Sequence, residues 1–331
     1  MSACAPPDYE ATAGVTQLDA LPLDGGGSLA PARLAWSRFG PAPARARSVV
    51  MLLHGISGSQ QALRMDREPS HADAGWASPW LGPGLALDTR HTCVLAPNAL
   101  GSCFGSSGPA GRAAGAFPAV SIADGVRLQG EWLRAMGVER LDAVVGYSYG
   151  GYQAFQWAVA SPLPVGRVVA LASAPRGSGS EADVLRLRGL AAALEAGDLD
   201  AWNGWVEMRC ATLRGHGYGR WLADAGEPDP ELRLRAEASA WAARFSPWSM
   251  AALRASACRY DTLKALLTTS TPVHWLRCES DALFPPDDPS VQMEAPYPSN
   301  IVRTRVAGRY GHLSPLLEGS LWRTYLARAL A

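Results

Sequence analysis

The chain has 331 residues, with 30 basic side chains against 30 acidic ones and 48% apolar residues. Zero formal charge removes the electrostatic basis for a nucleic-acid partner, and this apolar content excludes a disordered chain. No apolar run reaches the length of a membrane span, and no basic stretch followed by an apolar core opens the chain, so neither a membrane partner nor a secretory leader is expected. Six cysteines, at 4, 93, 103, 210, 258 and 278, form no C-x-x-C pair. They read as reduced thiols of a cytoplasmic protein, and no bound metal is expected. Lys264 is the only lysine, which with the abundant alanine reads as compositional bias rather than a binding feature.

Taken in order, residues 1–15 read as a flexible lead-in, and Val15 to Phe39 as an antiparallel hairpin around Gly25, Gly26 and Gly27. Ser48 to His54 and Thr92 to Ala96 read as buried strands. The first runs into His54-Gly55-Ile56-Ser57-Gly58. The Ile56 N–H there is expected to donate to an oxyanion, while His54 orients the loop. Ser121 is placed to cap an amphipathic crossover helix reaching Met136, with Gln129 as its polar exception and Gly137 as its C′ residue.

Leu141 to Val145 is apolar and leads into Gly146-Tyr147-Ser148-Tyr149-Gly150, after which Tyr152 to Ala160 reads as a helix. G-x-S-x-G between strand and helix is the pattern of a nucleophile elbow, which exposes the serine hydroxyl above the sheet edge. Gly146 and Gly150 lack the side chains that would collide there. The Tyr149 N–H is the expected second oxyanion donor. Val165 to Ala174 is the next strand. From Pro175 to about Lys264 the strand–helix alternation stops. Val184, Leu187, Leu190 and Leu194, then Trp202, Trp205 and Met208, follow helical spacing. This stretch reads as a helical lid over the carboxyl edge of the sheet.

A serine hydroxyl needs a base to become a nucleophile. In this topology an acid and then a histidine should follow it. Thr271 to Cys278 reads as a buried strand running into Glu279-Ser280-Asp281, and Asn300 to Val306 as a strand followed by Gly308 to His312. Asp281 and His312 therefore complete a Ser148–His312–Asp281 set. His71, His91 and His216 lie outside any strand-end position after the acid, and His274 sits inside a strand as a packed residue. Asp287 and Asp288 read as caps of a helix begun by Pro285-Pro286, which leaves Glu279 as the nearest competitor of Asp281. The expected organisation is an α/β core, residues 16–175 and 265–331, with a mostly parallel sheet flanked by helices and an insertion at 176–264.

Asn98-Ala99-Leu100-Gly101-Ser102-Cys103-Phe104-Gly105-Ser106-Ser107-Gly108-Pro109 resembles the N-x-L-G-x-C-x-G-S-[ST]-G-P signature of the homoserine O-acetyltransferase family. Phe117 to Asp124, the Gly146–Pro162 segment with Gln153-Ala154 and Trp157-Ala158, Ser280 to Pro286, and Tyr310-Gly311-His312 are similar to that family's segments in order and spacing. The resemblance runs from about residue 20 to the C-terminus. It implies the α/β-hydrolase fold, a helical lid often used to form a homodimer, and ping-pong transfer of an acyl group from an acyl-CoA to a hydroxyl. Ser148, Asp281 and His312 form its triad. The family typically has an aspartate after the histidine, where this chain has Leu313. The lid motif T-Y-R-S stands here as Thr212-Leu213-Arg214-Gly215, in a shorter lid. By the resemblance Arg214 receives a substrate carboxylate, while Leu313 offers nothing to an ammonium group. Burying an unpaired charge is costly, so an acceptor or ester without the amino group fits better than homoserine.

The expected activity is thus serine-nucleophile O-acyl transfer between a small-molecule acyl donor and a hydroxyl acceptor. No cofactor is bound, and acyl-CoA serves as co-substrate. The alternative is a carboxylesterase on the same scaffold, with water as acceptor. A non-catalytic binding protein would be expected to have lost a member of the Ser, Asp and His set, and none is lost.

Overall fold

The computed structural model describes residues 9–64, 75–109, 117–292 and 297–331; Cys4 and His71 lie outside them. The strands in chain order are β1 (Ala11–Leu18), β2 (Leu21–Pro22), β3 (Ser28–Leu29), β4 (Ala32–Phe39), β5 (Ser48–Leu53), β6 (Thr92–Pro97), β7 (Ala143–Tyr147), β8 (Val168–Leu171), β9 (Val273–Cys278) and β10 (Ile301–Val306). Eight form one sheet in the order β1-β4-β6-β5-β7-β8-β9-β10, and β2 pairs with β3 at the tip of the first hairpin. The β1–β4 and β4–β6 pairs are antiparallel, and the rest of the sheet is parallel. Central strands such as Val-Val-Ala-Leu of β8 are buried throughout, as strands covered on both faces must be. The edge strand β10 instead exposes Arg303 and Arg305, charges that discourage pairing with another chain.

Strand β1 corrects the expected lead-in. Residues 11–15 are paired with Phe39 to Ala35 of β4, so every second residue exchanges its backbone hydrogen bonds with that strand. Their small and polar side chains hid the strand, because this edge buries little of either face.

Helices α1 (Ile122–Ala135) and α2 (Tyr149–Val159) flank the sheet. Ser121 caps α1 in a capping box with Asp124, and Gly137 takes a φ of 72° beyond its end. The polar exception on α1 has a structural reason. Gln129 donates to Gln153 Oε1 (2.6 Å) and accepts from Trp157 Nε1 (2.8 Å), so a buried amide network joins the two helices. Each such bond contributes about 1 kcal/mol net, and orphaning a partner costs more.

The Asn98–Pro109 signature is also structural. Ser106 Oγ accepts from the Ala35 amide and donates to the Asn98 carbonyl, while Ser107 Oγ accepts from the Arg33 amide. The segment thereby extends the bonding of β4 past the end of β6.

Between β8 and β9 lie only helices: α3 (Glu181–Glu195), α4 (Leu199–Gly215), α5 (Tyr218–Asp224), α6 (Pro230–Ala242), α7 (Pro247–Cys258) and α8 (Leu263–Leu266). They pack chiefly as α3 on α7 and α4 on α6. Trp205, Trp241 and Phe245 form their aromatic centre, and Phe104 from the signature meets Phe245 edge-on. Helices α9 (Ser314–Leu317) and α10 (Gly319–Leu330) close the chain. Pro285-Pro286 starts no helix, a second correction. Pro286 disfavours a helical conformation at Pro285. The short 3-10 turn is Pro289–Val291, capped by Asp288, while Asp287 pairs with Arg305.

Candidate active site

Ser148 stands between β7 and α2 with φ 56° and ψ −116°, a left-handed conformation that costs a non-glycine residue on the order of 1–3 kcal/mol. Its surroundings hold it there. The Ser148 amide donates to the Leu171 carbonyl (3.0 Å), and its own carbonyl accepts from the Gly151 amide and from Ser173 Oγ, both at 2.8 Å. A Cβ on Gly146 would overlap the Gly150 carbonyl, and one on Gly150 would overlap the Leu53 carbonyl. The two glycines are thus required by close approach of the backbones.

The serine Oγ lies 2.8 Å from His312 Nε2, and His312 Nδ1 lies 2.8 Å from Asp281 Oδ2. All three residues are buried. The other carboxylate oxygen of Asp281 accepts from the amides of Leu283 (2.8 Å) and Phe284 (3.2 Å). Burial pushes the Asp281 carboxyl up, but the charge and hydrogen bond of His312 and the two amides outweigh it and hold the group below the usual aspartate value. An ionised carboxylate only accepts hydrogen bonds. The imidazole therefore carries a proton on Nδ1 and turns Nε2 to the serine hydroxyl.

Residues without a sequence signal of their own complete this support. Tyr147 stacks on the His312 ring with centroids 5.3 Å apart, and its hydroxyl donates to the His312 carbonyl (2.9 Å). Ser280 Oγ donates to the Gly308 carbonyl and accepts from the Gly311 amide, joining the acid loop to the histidine loop. The aromatic residue before the serine and the serine before the aspartate were visible, but only their partners in space reveal what they do.

The expected oxyanion donors lie beside the serine. Ile56 and Tyr149 both line the cavity around Ser148, and a Cβ on Gly55 would come within 3.5 Å of Ser148 Cβ. Neither amide donates to a backbone carbonyl among the described residues. That of Tyr149 sits in the first turn of α2, where amides have no partner within the helix. His54 is buried, accepts the Ala99 amide at Nε2 (3.1 Å) and places Nδ1 2.7 Å from the Gly55 carbonyl. It is a neutral strut of this loop, and burial pushes its pKa down to about 4.

A cavity of about 310 Å³ opens above Ser148. Its sheet-side wall includes Tyr147, Phe284, His312 and Leu313. The helices supply Met208, Arg209, Leu213, His216, Met250 and Arg254. Leu313 thus faces the cavity, as the sequence implied.

Arg214 does not, and that expectation is corrected. Its guanidinium pairs with Glu231 on the outer surface (2.6 Å). A helix advances 100° per residue, so Arg209, Thr212, Leu213 and His216 share the inner face of α4 while Arg214 turns outward. Arg209 is the inward cation. It bonds Ser57 Oγ (3.2 Å) and lies over the Trp241 ring.

His216, unremarkable in sequence, meets the His312 ring edge-on at 4.8 Å between centroids. Burial and the neighbouring His312 push its pKa down to about 3. Glu279, the rival acid, is exposed, and His274 lies within β9. The described cysteines are free thiols, and no group of three His, Cys, Asp or Glu among the described residues could hold a metal ion. No helix among them is long and apolar enough to cross a membrane.

A strained serine at a strand–helix junction, facing a histidine backed by an aspartate, can pass its proton along a fixed path while attacking a carbonyl. The chain matches the family described as alpha/beta hydrolase fold over residues 48–318 and belongs to it. Within that family it is similar to the homoserine O-acetyltransferase of Thermobifida fusca (strain YX), 40% identical over 159 residues, which cover 46% of this chain and 42% of that relative. It is also similar to the homoserine O-succinyltransferase of Leptothrix cholodnii, 38% identical over 164 residues, 47% of this chain and 43% of that relative. The chain spans under half the length of these curated relatives. Over nearly its whole length it shares a fold with solved structures of lower identity. Homoserine O-acetyltransferase from Bacillus anthracis gives a TM-score of 0.79 at 17% identity, with 97% of each chain covered. The acetyl esterase MekB gives 0.75 at 21% identity, with 96% of each covered.

Proposed function

We propose that this chain is a serine O-acyltransferase that moves an acyl group from an acyl-CoA to a hydroxyl acceptor. The observation that carries the reading is the hydrogen-bonded path from Ser148 through His312 to Asp281 at the floor of a walled cavity. The similarity to relatives named as homoserine acyltransferases supports acyl transfer over other chemistries of such a path.

In the first half-reaction Ser148 Oγ attacks the donor carbonyl and gives its proton to His312 Nε2. Asp281 stabilises the imidazolium and keeps Nδ1 protonated. The carbonyl oxygen, now an oxyanion, is held by the Ile56 and Tyr149 amides, a contribution often worth several kcal/mol. The C–S bond of the donor breaks, the thiol takes the proton from Nε2, and the acyl group stays on Ser148. In the second half the acceptor hydroxyl gives its proton to Nε2, attacks the acyl carbon and leaves as an ester, and Ser148 regains its proton. Leu313 faces the acceptor without a charge for an ammonium group, so the reading favours acceptors lacking one.

The test is product partition. With an acetyl or succinyl donor and a panel of hydroxy compounds, ester product should outgrow free acid as acceptor concentration rises. Free acid as the sole product, at every acceptor concentration and with every acceptor, would replace transferase by esterase.

A further inference from the structure

Helix α7 turns Met250, Arg254 and Ala257 toward the cavity, a spacing of four and then three residues that keeps them on one face. Arg254 is half-buried and, among the described residues, makes no hydrogen bond and no ion pair. It lines the same cavity as Tyr152, Asp183 and His216, and its charge bears on all three. Of the other described cations on the wall, Arg209 is engaged by Ser57 and Trp241, and Arg186 pairs with Asp183 at 3.1 Å. Asp183 is the only carboxylate among the described lining residues, and Ser180 also binds it. The wall therefore carries an uncompensated positive charge and no free negative one.

We infer that Arg254 is a carboxylate-binding subsite of the cavity, so that one of the two substrates carries a carboxylate at that end and no ammonium group. This rests on the acyl-transfer reading of Ser148. A guanidinium stays charged at every relevant pH, and its planar fork matches a carboxylate with two parallel bonds. Held half out of water without a partner, it has part of its hydration removed and nothing in its place until such a group arrives. The leucines and methionines around it accommodate the carbon chain. The carboxylate has two sources, the far end of a dicarboxylic acyl group or a hydroxy-acid acceptor.

Two pairs of compounds that differ only at the charged end separate these sources. The acyl pair is p-nitrophenyl hemisuccinate against p-nitrophenyl butyrate. The acceptor pair is 4-hydroxybutanoate against 4-hydroxybutanamide, each resolving enzyme loaded from p-nitrophenyl acetate. In at least one pair wild type should prefer the anion, and Arg254→Met should lower the anion-to-neutral ratio of kcat/KM by about ten-fold or more. Arg254→Lys should recover part of it. Arg214→Met, which removes a charge outside the cavity, should leave the ratio as in wild type. A ratio unchanged by Arg254→Met in both pairs overturns the subsite. If no ester loads Ser148, the acyl-transfer reading fails separately. The subsite is then decided by calorimetric binding of monomethyl succinate and 4-hydroxybutanoate to the Ser148→Ala variant. Weaker binding after adding Arg254→Met supports it, and equal binding overturns it.

Discussion

The strand ends and the helical insertion line the same cavity but hold their side chains by different means. Ser148, Asp281 and His312 follow β7, β9 and β10, and each is tied by a bond from another loop or strand: Ser173 to Ser148, His312 to Asp281 beside two amides of the aspartate's own loop, Tyr147 and Ser280 to the histidine loop. A one-residue slip there would break several bonds at once. The inner face of α4 is set only by rotation about a helix, and moving one position from Leu213 to Arg214 takes a side chain from the cavity to the surface. The sheet therefore fixes the Ser148–His312–Asp281 geometry, and the insertion walls the cavity above it.

Ser148→Ala should lower acyl transfer by about four orders of magnitude or more while the thermal transition stays near that of wild type. Retention of a tenth of wild-type turnover would place the chemistry elsewhere.

Next in size is selectivity. Leu313→Asp supplies a carboxylate beside His312, and the preference for an acceptor with a free amino group over its des-amino analogue should rise by about ten- to a hundred-fold. An unchanged ratio of the two kcat/KM values would remove Leu313 from the acceptor wall.

The sheet side can also be tested by acid. The His54 pKa is about 4 in the folded protein, below the ordinary histidine value. Between that ordinary value and 4 the unfolded chain binds a proton that the folded one refuses, so stability falls as pH falls through this window. The loss should approach about 3 kcal/mol at its lower end, at roughly 1.4 kcal/mol for each unit of pKa difference. Urea unfolding from pH 7.5 to 4.5 reads it. His54→Gln should be less stable at neutral pH but show a flatter acid limb, and parallel limbs would contradict the buried neutral strut.

The smallest effect sharpens the insertion side. Arg214→Leu removes an exposed pair with Glu231, which contributes about 0–1 kcal/mol to stability. Activity toward anionic and neutral substrates should change by less than about two-fold, and a selective rise in KM for the anion would restore Arg214 to the site.

What could be read from the chain alone follows the same division. The elbow, the acid and the histidine each lie in a short segment whose strand and turn are written in consecutive residues, so their places were legible. The Asn98–Pro109 signature is equally legible, yet Ser106 and Ser107 in it serve β4 rather than the cavity, because a distinctive pattern marks constraint without saying of what kind. Arg214 was misplaced because a motif match carries no helical phase. Tyr147 carries no mark of its own in the sequence, and His216 is set aside there, because what both touch is His312, distant in the chain. Residues 11–15 were missed because an edge strand with little buried surface leaves little hydrophobic alternation to read.

In the proposed reaction Ser148 carries the acyl group between donor and acceptor. Intact-protein mass spectrometry, within seconds of mixing with acetyl-CoA, succinyl-CoA or a simple ester, tests it most directly. Wild type should gain one acyl group that maps to Ser148 and disappears when a hydroxy acceptor is added, and Ser148→Ala should never gain it. An adduct of equal size on Ser148→Ala, or turnover with no adduct on either protein under rapid quenching, would contradict it.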